Sequence, residues 1–118
     1  MTKSNVYLRF LNLVEAFNPK SNIRGLDSTE NLLLNSIMLD DNEGRSVFVG
    51  DLLRQHSLGS QATLHVRVKN LCHLGYIELI TQSDARRKRV MPTRLAYKRF
   101  EMLSGCLWRA AKEIPRPA

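Results

Sequence analysis

The sequence predicts a mainly α-helical protein with one small β-hairpin. Three observations carry that expectation. Apolar residues recur at helical spacing in several separate stretches. Tyr76-Ile77-Glu78-Leu79-Ile80-Thr81 reads as a strand, and a shorter strand at Val90-Met91 closes on Pro92. Between them lie the turn Gln82-Ser83-Asp84-Ala85 and the basic run Arg86-Arg87-Lys88-Arg89. At 118 residues, 43% hydrophobic and 25% charged, the chain is expected to form one domain around one modest core.

Taken in order, residues 4–17 place Val6, Tyr7, Phe10, Leu11, Leu13, Val14 and Phe17 at helical spacing, with Pro19 as the stop. A loop follows through Asn18, Ser21, Asn22 and Gly25. Asp27 or Ser28 then caps a helix over 29–40, with Leu32, Leu33, Ile37 and Leu39 as its apolar positions. The acidic turn Asp40-Asp41-Asn42-Glu43-Gly44 ends it. Ser46 caps a short helix over 47–55, with Phe48, Leu52 and Leu53 on its core side. After the turn His56-Ser57-Leu58-Gly59, Ser60 caps a helix over 61–74 that ends at Gly75. Leu64, Val68 and Leu71 face its core, and Gln61, His65, Lys69 and His73 face away. Thr93 caps a final helix over 94–113, striped with Leu95, Ala96, Phe100, Leu103, Leu107 and Ala110 or Ala111. Met102, Cys106 and Trp108 add a second apolar edge, and Pro115-Arg116-Pro117-Ala118 frays. The layout is an N-terminal helix and loop (1–27), a core (28–93) and a C-terminal helix (94–118).

Charge is distributed unevenly along this layout. Residues 1–51 carry a net −2 and residues 52–118 a net +9, which together make the +7 of the chain. A basic half beside a mildly acidic one suggests a face for a polyanion. Two short helices joined by a tight turn, the second with a polar outer face, form a helix-turn-helix pattern. A helix fits the DNA major groove, and side chains near its N-terminus reach base edges there. Ser60, Gln61 and Thr63 stand at that end, and Lys69 or Asn70 lies within reach of a base or a phosphate. The alternative is an ordinary helical hairpin with a solvated face. The hairpin that follows tips the balance: its basic tip suits the narrow minor groove and neighbouring phosphates. Its alternatives are a solvated tip or a targeting signal.

The stretch from Ser46 to Thr93 resembles the winged helix-turn-helix of the bacterial MarR-type transcription regulators. The matching residues are Val49-Gly50-Asp51-Leu52-Leu53, Ser60-x-x-Thr63-Leu64, Val68-x-x-Leu71-x-x-x-Gly75-Tyr76-Ile77 and Asp84-x-Arg86-x-Lys88-x-Val90-x-x-Thr93. The resemblance implies a winged helix flanked by dimerisation helices, acting as a sequence-specific regulator on double-stranded DNA. It implies recognition-helix contacts from Ser60, Gln61, Thr63, His65, Val66, Lys69 and Asn70. It implies Arg86 in the minor groove and Asp84 shaping the wing, while the basic run Arg86, Arg87, Lys88 and Arg89 is expected by its charge to contact DNA as a whole. The chain departs from the family at Pro92 and Ala96, where leucine and glycine are usual. Val66 stands where a groove-facing arginine is common, and Arg67 where an apolar residue is usual.

The two terminal helices carry more apolar surface than one small core hides, so a homodimer is expected. Its interface draws on Tyr7, Phe10, Leu11, Val14, Phe100, Leu103, Leu107 and Trp108. The alternative is that both helices simply close the domain. A two-fold dimer predicts half-sites about one helical turn apart. The same contacts suit a replication or partition factor of a mobile element, and a winged helix also serves as a protein-interaction module.

No other chemistry competes well. His56, His65 and His73 lack metal-ligand spacing with Cys72 or Cys106, so no metal and no cofactor is expected. No phosphate loop, nucleophile elbow or carboxylate pair points to an enzyme. Cys72 reads as a half-buried packing residue before it reads as an oxidation sensor. Two cysteines make no disulfide framework, no apolar run approaches the roughly 20 residues of a membrane span, and Arg9 argues against a signal peptide. A cytoplasmic protein is expected. No residue pattern marks a pocket for a small-molecule effector.

Overall fold

The computed structural model describes residues 5–17 and 25–112. They form a mainly helical protein with a small three-stranded antiparallel sheet. The chain divides into two compact units, one spanning Ile23–Ala96 and one combining Met1–Asn22 with Tyr97–Ala118. The expected loop through Pro19 and Asn22 and the tail at Pro115–Ala118 lie outside the described residues.

Helix α1 (Val6–Phe17) belongs to the second unit. The first unit runs α2 (Ser28–Asn42), β1 (Val47–Phe48), α3 (Val49–Leu53), a 3-10 turn (His56–Leu58), α4 (Gln61–His73), β2 (Ile77–Thr81) and β3 (Lys88–Pro92). Helix α5 (Arg94–Lys112) starts at its end and continues into the second unit.

Asp27 opens α2 with a reciprocal capping box. Its Oδ1 accepts the Glu30 N–H at 2.8 Å, and Glu30 Oε1 accepts the Asp27 N–H at 3.0 Å. Glu30, Leu33, Leu34, Ile37 and Met38 form the buried face, a strict i, i+3, i+4, i+7, i+8 series. Leu34 and Met38 thus take the inward positions expected of Leu32 and Leu39, and Leu39 is 65% exposed. The inward Glu30 shares that face with four large apolar side chains. The helix also continues through Asp40 and Asp41, and the turn shrinks to Glu43–Gly44, with Gly44 at φ 75°.

The segment after Ser46 is not helical from its start. Val47 and Phe48 pair with Val90 and Arg89, which makes a third strand where the sequence predicted a helix. Cross-strand burial of Val47 against Val90 decides it, since a β-branched and an aromatic residue suit a pleated surface. Helix α3 then begins at Val49, with Asp51 Oδ2 accepting the Phe48 N–H at 3.0 Å.

Strand β3 is central, in the order β1-β3-β2. Pro92 is tolerated there because it is the last residue of the strand and pairs only with Ile77 of β2. The sheet covers one side of a core formed by Leu33, Leu34, Ile37, Leu52, Leu64, Val68, Leu71, Ile77 and Val90. Leu64, Val68 and Leu71 are the residues expected to face inward from α4. That helix closes on Gly75 at φ 87°, with Tyr76 N–H donating to the Leu71 carbonyl and Gly75 N–H to that of Cys72.

In the second unit, Asn5 Oδ1 caps α1 by accepting the Leu8 N–H at 3.0 Å, and no residue of α1 is buried. Along α5, Cys106 and Ala110 are buried, while Leu107 and Trp108 are exposed. Cys106 Sγ lies 3.8 Å from Met102 Sδ.

Candidate nucleic-acid interface

Ser60 fixes the start of α4. Its Oγ accepts the Thr63 N–H at 3.2 Å and donates to Thr63 Oγ1 at 2.9 Å. Gln61, His65, Lys69 and His73 are exposed along one face, as their spacing predicts, and Thr63 and Val66 are exposed beside them. The first turn therefore presents a polar, uncharged edge with free helix N–H groups, and cationic character enters only at Lys69.

Asn70 and Arg67 point the other way. Asn70 Nδ2 donates to Glu30 Oε2 at 3.0 Å. Arg67 Nε lies 3.1 Å from Asp27 Oδ2, and its Nη1 lies 4.0 Å from Glu30 Oε2. Both side chains are occupied with the start of α2, and Asn70 is half-buried. The buried Glu30 was missed in the sequence, although Asp27-x-x-Glu30 is the signature of a capping box. That carboxylate gives a physical reason for a cation at position 67: a buried charge needs a partner of opposite sign.

The turn between β2 and β3 is built around Asp84. Its Oδ1 accepts the Arg86 N–H at 3.1 Å and lies 3.4 Å from Arg86 Nε. Arg87 N–H donates to the Asp84 carbonyl at 2.9 Å. The four-residue basic run does not all sit at the tip. Lys88 and Arg89 are in β3, opposite Thr81 and Ile80, so only Arg86 and Arg87 belong to the turn. Arg86 is extended into solvent, its side chain 92% exposed. Arg87 folds back, its guanidinium 3.8 Å from the centre of the Phe48 ring. Arg89 is half-buried. Phe48, expected in the core of a helix, is instead the platform for this arginine.

A cavity of about 350 Å³ lies between α3 and the turn. Phe48, Val49, Gly50, Asp51, Leu53 and Arg54 form one side, and Arg86, Arg87 and Lys88 the other. Arg54 Nη2 is held 2.9 Å from Asp51 Oδ1. Arg54 was not among the residues expected to contribute, though its i, i+3 spacing to Asp51 was visible in the sequence.

Cys72 is half-buried on α4, and desolvation pushes its thiol up from the ordinary value. That direction lowers its thiolate fraction and its reactivity. Among the described residues, no three His, Cys, Asp or Glu side chains gather as a metal site. No helix among them is long and apolar enough to cross a membrane. Comparison with known proteins finds no matching family model, no curated relative and no matching solved structure.

Proposed function

We propose that this protein is a winged helix-turn-helix regulator that binds double-stranded DNA sequence-specifically as a homodimer. The observation that carries the reading is the element order α2-β1-α3-α4 followed by the β2–β3 hairpin, with β3 central in the sheet. That arrangement leaves one capped helix with an exposed polar face and one hairpin turn with an outstretched arginine in the same unit. Helix α4 enters the major groove, where Gln61 and Thr63 approach base edges and Lys69 a phosphate. Arg86 enters the minor groove, and Lys88 neutralises phosphate charge.

Selection of bound sequences from random duplex DNA tests the reading, because it reports binding, specificity and site symmetry together. The enriched site is expected to contain two related half-sites about one helical turn apart. On that site Arg86→Ala weakens binding strongly, and Lys88→Ala lowers the salt slope by about one. Neutralising Arg86, Arg87, Lys88 and Arg89 together without loss of affinity overturns the reading.

A further inference from the structure

We propose that the cavity between α3 and the β2–β3 turn is a seat for a phosphoryl group, with Arg54 as its principal donor. This inference stands on the cavity alone and does not require the DNA-binding reading. The lining contains four cations, Arg54, Arg86, Arg87 and Lys88, against one carboxylate, Asp51. Asp51 has both oxygens engaged, Oδ2 by the Phe48 N–H and Oδ1 by Arg54. It is therefore a positioning group for Arg54.

Each arginine is placed by a different contact. Arg54 is held by Asp51 at 2.9 Å, Arg86 by Asp84 at 3.4 Å, and Arg87 by stacking on Phe48 at 3.8 Å. Arg87 on Phe48 and Arg54 on Asp51 are partly oriented before any ligand arrives, whereas Arg86, 92% exposed, is ordered by the anion it meets. The planar fork of each offers donors beyond the one already used, and such forks match phosphate oxygens. Phe48, Val49 and Leu53 give the cavity apolar walls that strengthen the field of the cations. Gly50 lines the cavity beside Arg54: a Cβ there would sit in ordinary contact, 3.5 Å from Arg54 Nη1, and the branches of a leucine would occupy part of the space the anion needs. The volume of about 350 Å³ is at the lower end of small-ligand pockets, roughly 300–1,000 Å³. It admits a phosphoryl group with a short body attached.

The phosphoryl group has two sources, the DNA backbone or a free phosphorylated molecule. Both are tested on the full chain. Inorganic phosphate is titrated while the amide resonances of Phe48, Gly50 and Arg54 are followed, against chloride at matched ionic strength. Saturable shifts specific to phosphate are expected. Arg54→Gln should weaken phosphate binding roughly tenfold or more, since it removes a charged donor from an exposed side chain. Gly50→Leu should do the same with every cation retained. In parallel, DNA affinity is measured against salt for Arg54→Gln. A slope lower by about one assigns the seat to a backbone phosphate. An unchanged slope with phosphate binding lost assigns it to a free phosphorylated ligand. Equal responses to phosphate and chloride, or wild-type phosphate binding by Arg54→Gln, overturn the proposal. If the protein binds no DNA, the regulator reading fails and the phosphate titration still decides the seat.

Discussion

Glu30 is an acid with no exposed surface. Its oxygens are used twice over: Oε1 closes the cap of α2, and Oε2 receives Asn70 and lies near Arg67. It therefore ties α2 to the inner side of α4 and leaves the outer side with Gln61, His65 and Lys69 unencumbered. Removing Glu30 takes the acceptor from the Asp27 N–H and from the Asn70 amide while Arg67 keeps Asp27, at a cost of about 1–3 kcal/mol for each stranded donor and roughly 2–6 kcal/mol together. Glu30→Ala is expected to destabilise the protein by that order in a urea unfolding series. Asn70→Ala, which removes a neutral donor, should cost less, about 1–3 kcal/mol. A loss below about 1 kcal/mol for Glu30→Ala would mean the network does not hold the two helices. Asn70 is thus explained by the interior of the protein, whereas its neighbour Lys69 is exposed and available to a polyanion.

Among the elements, the junction of the hairpin with α5 depends on Thr93. Its hydroxyl donates to the Gly75 carbonyl and accepts the Ala96 N–H at 3.4 Å. Its own N–H donates to the Tyr76 carbonyl at 3.0 Å. One residue therefore closes the end of α4, the base of β2 and the start of α5. Thr93→Val keeps the shape and loses the hydroxyl, leaving a part-buried carbonyl without its donor. A loss of about 1–3 kcal/mol is expected, read as a lowered Tm. An unchanged Tm would show that water replaces the hydroxyl fully. The capping role was legible at position 93; the bond back to Gly75 was not, because it joins residues 18 apart in sequence.

At the scale of the whole molecule, the apolar surface of the second unit calls for an explanation. Tyr7 is 64% exposed and Trp108 65%, and Val6, Leu8, Leu11, Phe17 and Leu107 are exposed as well. Soluble monomers rarely leave that much large apolar surface to water. On the homodimer proposed above, a second copy covers it. Sedimentation equilibrium at micromolar concentration should give a dimer, and the double variant Leu11→Glu, Trp108→Glu should sediment as a monomer with its helical circular dichroism intact. A wild-type monomer at that concentration overturns the dimer.

The sequence by itself determined the helices, the hairpin and the exposed face of α4, because each rests on a local period or a local cap. Gln61, His65, Lys69 and His73 share a face by spacing alone, and Ser60 and Gly75 mark the ends of that helix by their own chemistry. Tertiary structure alone decided the rest. Val47 and Phe48 became a strand because β3 was there to pair with them. Leu34 and Met38 turned inward, in place of Leu32 and Leu39, because packing against the core chose which side of an almost continuous apolar run, Leu32-Leu33-Leu34 and Ile37-Met38-Leu39, would be buried. The basic run between Asp84 and Val90 shows the division most plainly. Its charge was evident from composition. Which of its cations reach water, stack on Phe48 or line the cavity with Arg54 followed from strand register and from elements distant in sequence. Such pairings depend on the closure of long loops around a shared core, and no local period encodes them.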